Sequence, residues 1–202
     1  LEWSARMADG KPTTLASPFT PFTAWPREGL AGPMKVSHCA MVMPAPDLSR
    51  PDAPVLGLGV FLTCFDYCLP EIRFKGNAYG AGARYSDGTG TISLYSSQDP
   101  RLVETLAVFD RFREFVTAAR WSQTDIDRAI IGSLKEAERP IRPGEATRTA
   151  LNRHLRGDTR ELRERRHEAV LRATPAEVKR VLTEYVEKNL PKSSICVVSS
   201  RE

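Results

Sequence analysis

A chain of 202 residues, with 41% hydrophobic residues, 27% charged residues and a net charge of +4, lies in the range of ordinary globular domains and can bury one sizeable core. No run approaches the roughly 18 apolar residues that a membrane span needs, and the first residues show neither an apolar signal core nor an Arg-rich amphipathic pattern. One soluble domain is the expectation.

The chain opens at Leu1, without Met, on a stretch punctuated by Pro12, Pro18, Pro21 and Pro26. Residues 1–32 are therefore expected to form a linker from an upstream domain, and the chain to be a piece of a longer polypeptide whose domain here runs over 33–202. Residues 35–43 read as a strand that stops at Pro44-Ala45-Pro46. A turn before Pro54 leads into 55–69, apolar on nearly every face, the pattern of a buried helix. Segments 79–85 and 89–97 flank Ser86-Asp87-Gly88, whose Asp-Gly step signals a hairpin, and Ile92 and Leu94 alternate with polar neighbours as in a half-buried strand. Asp99-Pro100 offers a helix cap and a first-turn proline, and Leu102, Leu106, Phe109, Phe112 and Val116 follow at helical spacing. Ser122 with Asp125, Asp158 with Glu161, and Thr174 with Glu177 mark three further helix starts. A last strand is expected at 194–199. The fold class is α+β, a mainly antiparallel sheet with helices packed on one face.

Cys39, Cys64, Cys68 and Cys196 are sparse and lie in apolar segments, which suits buried reduced thiols and a reducing compartment. Cys64 and Cys68 can share a helix face, but no second pair follows at zinc-finger spacing. His38, His154 and His167 are isolated, so no metal site is expected in this chain. Residues 139–180 hold twelve Lys/Arg against six Asp/Glu. Interleaved Arg and Glu without aromatics fit the solvated sides of amphipathic helices better than a nucleic-acid face.

The most informative string is Glu71-Ile72-Arg73-Phe74-Lys75-Gly76-Asn77-Ala78-Tyr79-Gly80-Ala81-Gly82-Ala83-Arg84-Tyr85. Its glycines permit bends and close approach of another chain, and Arg73 and Tyr79 supply a cation and a phenol beside that approach. Arg84 and Tyr85 can line the same region, although alternation sends one of them to the opposite face. The string resembles the Arg and Gly-Gly-Ala-Tyr-Gly signature in the C-terminal half of pitrilysin/insulinase-type zinc metallopeptidases, in the form of the presequence-protease branch. Ser96-Ser97-Gln98-Asp99-Pro100 is similar to that branch's tyrosine-serine-x-arginine/glutamine-aspartate-proline junction. The segment from Ser122 to Gly132 is similar to its next helix, and Leu155-Arg156-Gly157-Asp158-Thr159 to its later glycine-threonine turn. Asn77 replaces the usual second glycine.

The resemblance implies that the parent polypeptide closes around unfolded peptides and cuts them without ATP. Zinc would sit on an inverted His-x-x-Glu-His helix in an upstream domain, a motif missing from this chain. This chain would be the facing wall, with Arg73, Gly76, Asn77, Tyr79 and Gly80 binding substrate, and Arg73 and Tyr79 supporting the oxyanion. Read without the resemblance, Arg73 caps the preceding helix and Tyr79 packs in a strand. The expected partners are unfolded peptides and the N-terminal catalytic half of the same polypeptide, with no nucleic acid and no membrane. The compartment would be the cytoplasm in a bacterium, or a mitochondrion or plastid in a eukaryote. The competing function is a catalytically inactive relative that serves as a protein-binding scaffold.

Overall fold

The computed structural model describes residues 26–137 and 139–200. Five strands, β1 (Arg27–Ala31), β2 (Ser37–Pro44), β3 (Gly80–Ser86), β4 (Thr91–Asp99) and β5 (Ser194–Ser199), form one sheet in the order β1-β5-β2-β4-β3. All neighbours pair antiparallel except β1 with β5. The helices are α1 (Ala53–Thr63), α2 (Leu102–Asp110), α3 (Phe112–Ala118), α4 (Gln123–Ala137), α5 (Pro143–Leu155), α6 (Arg160–Leu171) and α7 (Pro175–Asn189).

Alternation along the strands divides the sheet into two faces. Cys39, Met41, Met43, Ile92 and Leu94 are buried, whereas His38, Val42 and Tyr95 between them are exposed. Helix α2 packs on β2 and β4 and α1 on β3, so the sheet has one covered face and one open face, as the strand pattern predicts. Phe109 and Phe112 are fully enclosed, and each contributes roughly 2–3 kcal/mol through apolar burial.

Helix α1 continues into a π-helical stretch, Cys64–Phe74. Pro70 lies inside it. Proline lacks an N–H and its ring crowds the carbonyl one α-turn back, so a wider backbone accommodates it better than an α-helix does. The bond from Lys75 N–H to the Pro70 carbonyl, at 3.0 Å, spans the five residues of a π-turn. Ala53–Phe74 is consequently a continuous run of 22 residues, long and apolar enough to cross a membrane by length and composition, which corrects the expectation that no such segment exists. Here its apolar surface packs against β3, α4, α6 and α7.

Several expectations change in detail. The expected linker lies mostly outside the described residues, but Arg27–Ala31 within it forms the edge strand β1. The run from Leu102 to Val116 bends at Arg111, while bonds from Arg111 N–H to the Ala107 carbonyl and from Phe115 N–H to the Arg111 carbonyl carry the ladder across the bend. Helix α2 begins two residues beyond Pro100, yet the buried Asp99 carboxylate still accepts from Arg101 N–H at 2.8 Å and from the Thr105 hydroxyl at 2.6 Å. Ser122 and Asp125 form the expected reciprocal cap, and Thr174 caps α7. The bonds from Ser122 N–H and Ser122 hydroxyl, followed by that from Arg128, hold the Asp125 carboxyl down at about 2. At α6 the cap is Thr159 rather than Asp158, because the Thr159 hydroxyl accepts from Leu162 N–H while Asp158 lies beside Arg163.

Candidate functional site

Gly76, Asn77 and Tyr79 lie in the short connection from the π-helical stretch to β3, with Arg73 in the last turn of that stretch and Gly80 the first residue of the strand. The connection's backbone is tied at most steps. Asn77 N–H donates to the Arg73 carbonyl at 3.0 Å, Ala78 N–H to the Ile72 carbonyl at 3.2 Å, and Tyr79 N–H to the Gln98 carbonyl at 3.3 Å. A Cβ at position 76 would stand 2.4 Å from the Ile72 carbonyl oxygen, so only glycine lets the chain fold back on its own helix end. Asn77 has φ 61, in the left-handed region where Asn is tolerated and glycine is easiest, so the Asn replacement keeps the required backbone angle. Gln98, opposite Tyr79, is left-handed as well, with φ 46. Sequence reasoning missed Gln98, because nothing in a Ser-Gln-Asp step announces a positive φ.

Lys75 on this backbone pairs with Glu71 at 2.6 Å, whereas Arg73 and Tyr79 stand apart. Arg73 is exposed, Tyr79 is 73% exposed and Phe74 between them 68% exposed. Neither Arg73 nor Tyr79 forms a side-chain hydrogen bond or ion pair with another described residue. The packing alternative for Tyr79 therefore fails. Gly80 and Gly82 differ from Gly76: their missing side chains are replaced by the Ser97 hydroxyl and the Tyr95 ring, which lie over them from β4. The close approach inferred at these two glycines is made within the chain. Arg84 and Tyr85 separate as alternation requires. Arg84 is exposed on the open face, and the Tyr85 hydroxyl donates to the Pro46 carbonyl at 2.7 Å, while burial, then the Asp87 charge, pushes its phenol up.

The other candidates disperse. Burial, then the neighbouring Cys64, pushes the Cys68 thiol well above its ordinary value, which opposes the thiolate a metal needs. Among the described residues no three His, Cys, Asp or Glu side chains gather, so the residues present do not fit a zinc ion. Cys196, expected to be buried, is exposed on the open face. In the basic half, Arg156 donates to Asp87 at the hairpin tip at 2.7 Å and Arg166 closes on the other carboxylate oxygen. Burial alone would raise the Asp87 carboxyl, but the Arg156 hydrogen bond and the Arg166 charge outweigh it and hold the group below its usual range. Arg160, Arg172 and Arg180 pair with Glu164, Glu168 and Glu184 one turn away. Lys179 donates to the Thr117 and Ala119 carbonyls at 2.8 and 3.0 Å and so finishes α3. A groove of about 400 Å³ under β1, lined by Leu102, Leu106, Ile195 and Val197, includes none of the predicted site residues.

The PreP C-terminal domain family matches residues 60–201, a span that holds the whole connection from helix to β3 together with α2 to β5. The chain belongs to that family. Similar proteins include the mitochondrial presequence protease of Kluyveromyces lactis, 28% identical over 187 residues, which cover 92% of this chain and 17% of that protein. The mitochondrial presequence protease of Danio rerio is 32% identical over 139 residues, covering 69% of this chain and 13% of that protein. The matched stretch thus spans 17% and 13% of the length of these two relatives. Among solved structures, the peptidase M16 inactive domain from Pseudomonas fluorescens superposes with a TM-score of 0.70 at 14% identity, over 89% of this chain and 44% of that one. At that identity the likeness speaks for the fold alone, and it agrees with the α+β class read from the strand and helix pattern.

Proposed function

We propose that this family member is the substrate-binding C-terminal domain of a zinc metalloendopeptidase that degrades unfolded oligopeptides without ATP in a closed chamber. The zinc belongs to an upstream part of the polypeptide, in keeping with the donor set here, and mitochondrial residence follows if the source is a eukaryote. The observation that carries the reading is the contrast at Arg73 and Tyr79: two exposed donors with no partner among the described residues, held on a backbone in which the Lys75, Asn77 and Ala78 N–H groups between them are tied. A preorganised donor needs that combination. A hydrogen bond to a carbonyl oxygen strengthens as negative charge develops on it, most of all where water is excluded, so a guanidinium and a phenol fixed beside a scissile carbonyl favour the transition state over the ground state.

The test is steady-state kinetics of the full-length protein on a short fluorogenic peptide. Arg73→Ala and Tyr79→Phe should each lower kcat/KM by about ten- to a thousandfold, mainly through kcat, with zinc content and thermal stability unchanged. An unchanged kcat/KM in both variants reduces the pair to a passive wall. A full-length protein that binds unfolded peptides with no zinc and no cleavage supports the scaffold reading instead.

A further inference from the structure

The open face of the sheet carries a second set of donors. On it β3 presents Gly80, Gly82 and Arg84, and β4 presents Ser93, Tyr95 and Ser97. Among the described residues of β2, β3 and β4, Arg84 is the one Lys, Arg, Asp or Glu on this face, since Asp99 turns its carboxylate toward Arg101 and Thr105. Arg84 is exposed and forms no ion pair with a described residue. Two positions before it, a Cβ at Gly82 would stand 2.8 Å from Tyr95 Oη and 3.0 Å from Cζ. The absent side chain is what lets Tyr95 lie across β3. Its hydroxyl reaches the strand that bears Arg84, makes no hydrogen bond with a described residue, and belongs to a side chain 40% exposed.

We propose that Arg84 and the Tyr95 hydroxyl form a carboxylate-binding subsite for the peptide substrate. A guanidinium offers a planar fork of donors to two carboxylate oxygens, and a phenol adds one more O–H donor. No acidic group on this face of β2, β3 or β4 competes for them. Arg84 lies five positions after Tyr79, about 16 Å at the ordinary rise of a strand. An extended peptide whose scissile carbonyl meets Arg73 and Tyr79 lays a group about five residues away over Arg84. This placement rests on the reading proposed above. The carboxylate has two sources, the C-terminus of the peptide or an Asp or Glu side chain.

The experiment uses the full-length protein and fluorescein-labelled peptides, followed both by cleavage and by anisotropy. One pair ends in a free acid or an amide five residues past the cleaved bond. A second pair is longer and carries Asp or Asn at that position. Wild type should prefer the acid over the amide, or Asp over Asn, by about tenfold in affinity, the range expected for one charge-assisted contact. Preference in the first pair alone identifies the terminal carboxylate, and preference in the second identifies the side chain. Arg84→Gln should remove the preference and Arg84→Lys retain part of it. Tyr95→Phe and Gly82→Ala should reduce it severalfold, the latter because the ring must swing off β3. No preference in wild type, or one that survives Arg84→Gln, overturns the subsite. If Arg73→Ala and Tyr79→Phe leave cleavage intact while an Arg84-dependent preference persists in anisotropy, the failure lies with the proposed role of that pair.

Discussion

The connection from Cys64–Phe74 to β3 and the helical half from α5 to α7 both concentrate unusual residues, and they use them in opposite ways. In the helical half many charges are paired: Arg156 and Arg166 grip Asp87, and Arg160, Arg172 and Arg180 each meet a glutamate one turn away. In and just before the connection most of the backbone is tied down, yet the Arg73 and Tyr79 side chains have no such partners among the described residues. Charge density alone is therefore a poor guide to a working surface. On the function proposed for Arg73 and Tyr79, unspent donors on a fixed backbone mark the site, because ordering a side chain is cheapest where the main chain is already ordered.

Substitutions at four positions would break or sharpen this contrast. Gly76→Val drives a Cβ toward the Ile72 carbonyl, which is backbone and cannot yield, so it should cost at least about 3 kcal/mol in urea unfolding. A midpoint near that of wild type would show that the connection is not locked. Asp87→Asn leaves two arginines without their carboxylate and should cost about 1–3 kcal/mol. The sign with pH follows from the depressed Asp87 carboxyl: its contribution is present above the unfolded carboxylate value of about 4 and is lost as pH falls through the lower folded value. Acid unfolding curves of the variant should lack that component, and an unaltered acid limb would count against the clamp.

Smaller effects test the turn and the helix surface. Asn77→Ala should cost about 1 kcal/mol, whereas Asn77→Gly should be neutral or slightly stabilising, since φ 61 suits glycine best and alanine poorly. Equal stability of the two variants would remove the left-handed requirement. Arg160→Ala breaks an exposed pair one turn apart and should change stability by no more than about 0.5 kcal/mol. A larger loss in thermal melts would mean that the helical half relies on its surface pairs more than solvated charges ordinarily allow.

Much of this molecule was settled by local pattern. Alternation at Cys39, Met41 and Met43, the Asp87-Gly88 turn, the helical spacing of Phe109, Phe112 and Val116, and the caps at Ser122 and Thr174 each rest on neighbours within a few residues, so the strands, most helices and the covered face were legible in the chain. The string around Arg73 and Tyr79 stood out as a candidate site through its resemblance to a family signature, since pattern alone pointed to a helix cap and a packed tyrosine. What tertiary structure decided involves partners distant in sequence. Arg27–Ala31 became a strand only because β5 offered an edge to pair with, and Asp87 acquired Arg156 and Arg166 from 69 and 79 residues away. Gly82 proved to be the resting place of Tyr95, and the membrane-length run Ala53–Phe74 proved to be a core helix. Sequence carries periodicity and turn chemistry because these act along the chain. Which exposed donor stays unpaired depends on what the rest of the fold brings beside it, and only the assembled structure specifies that.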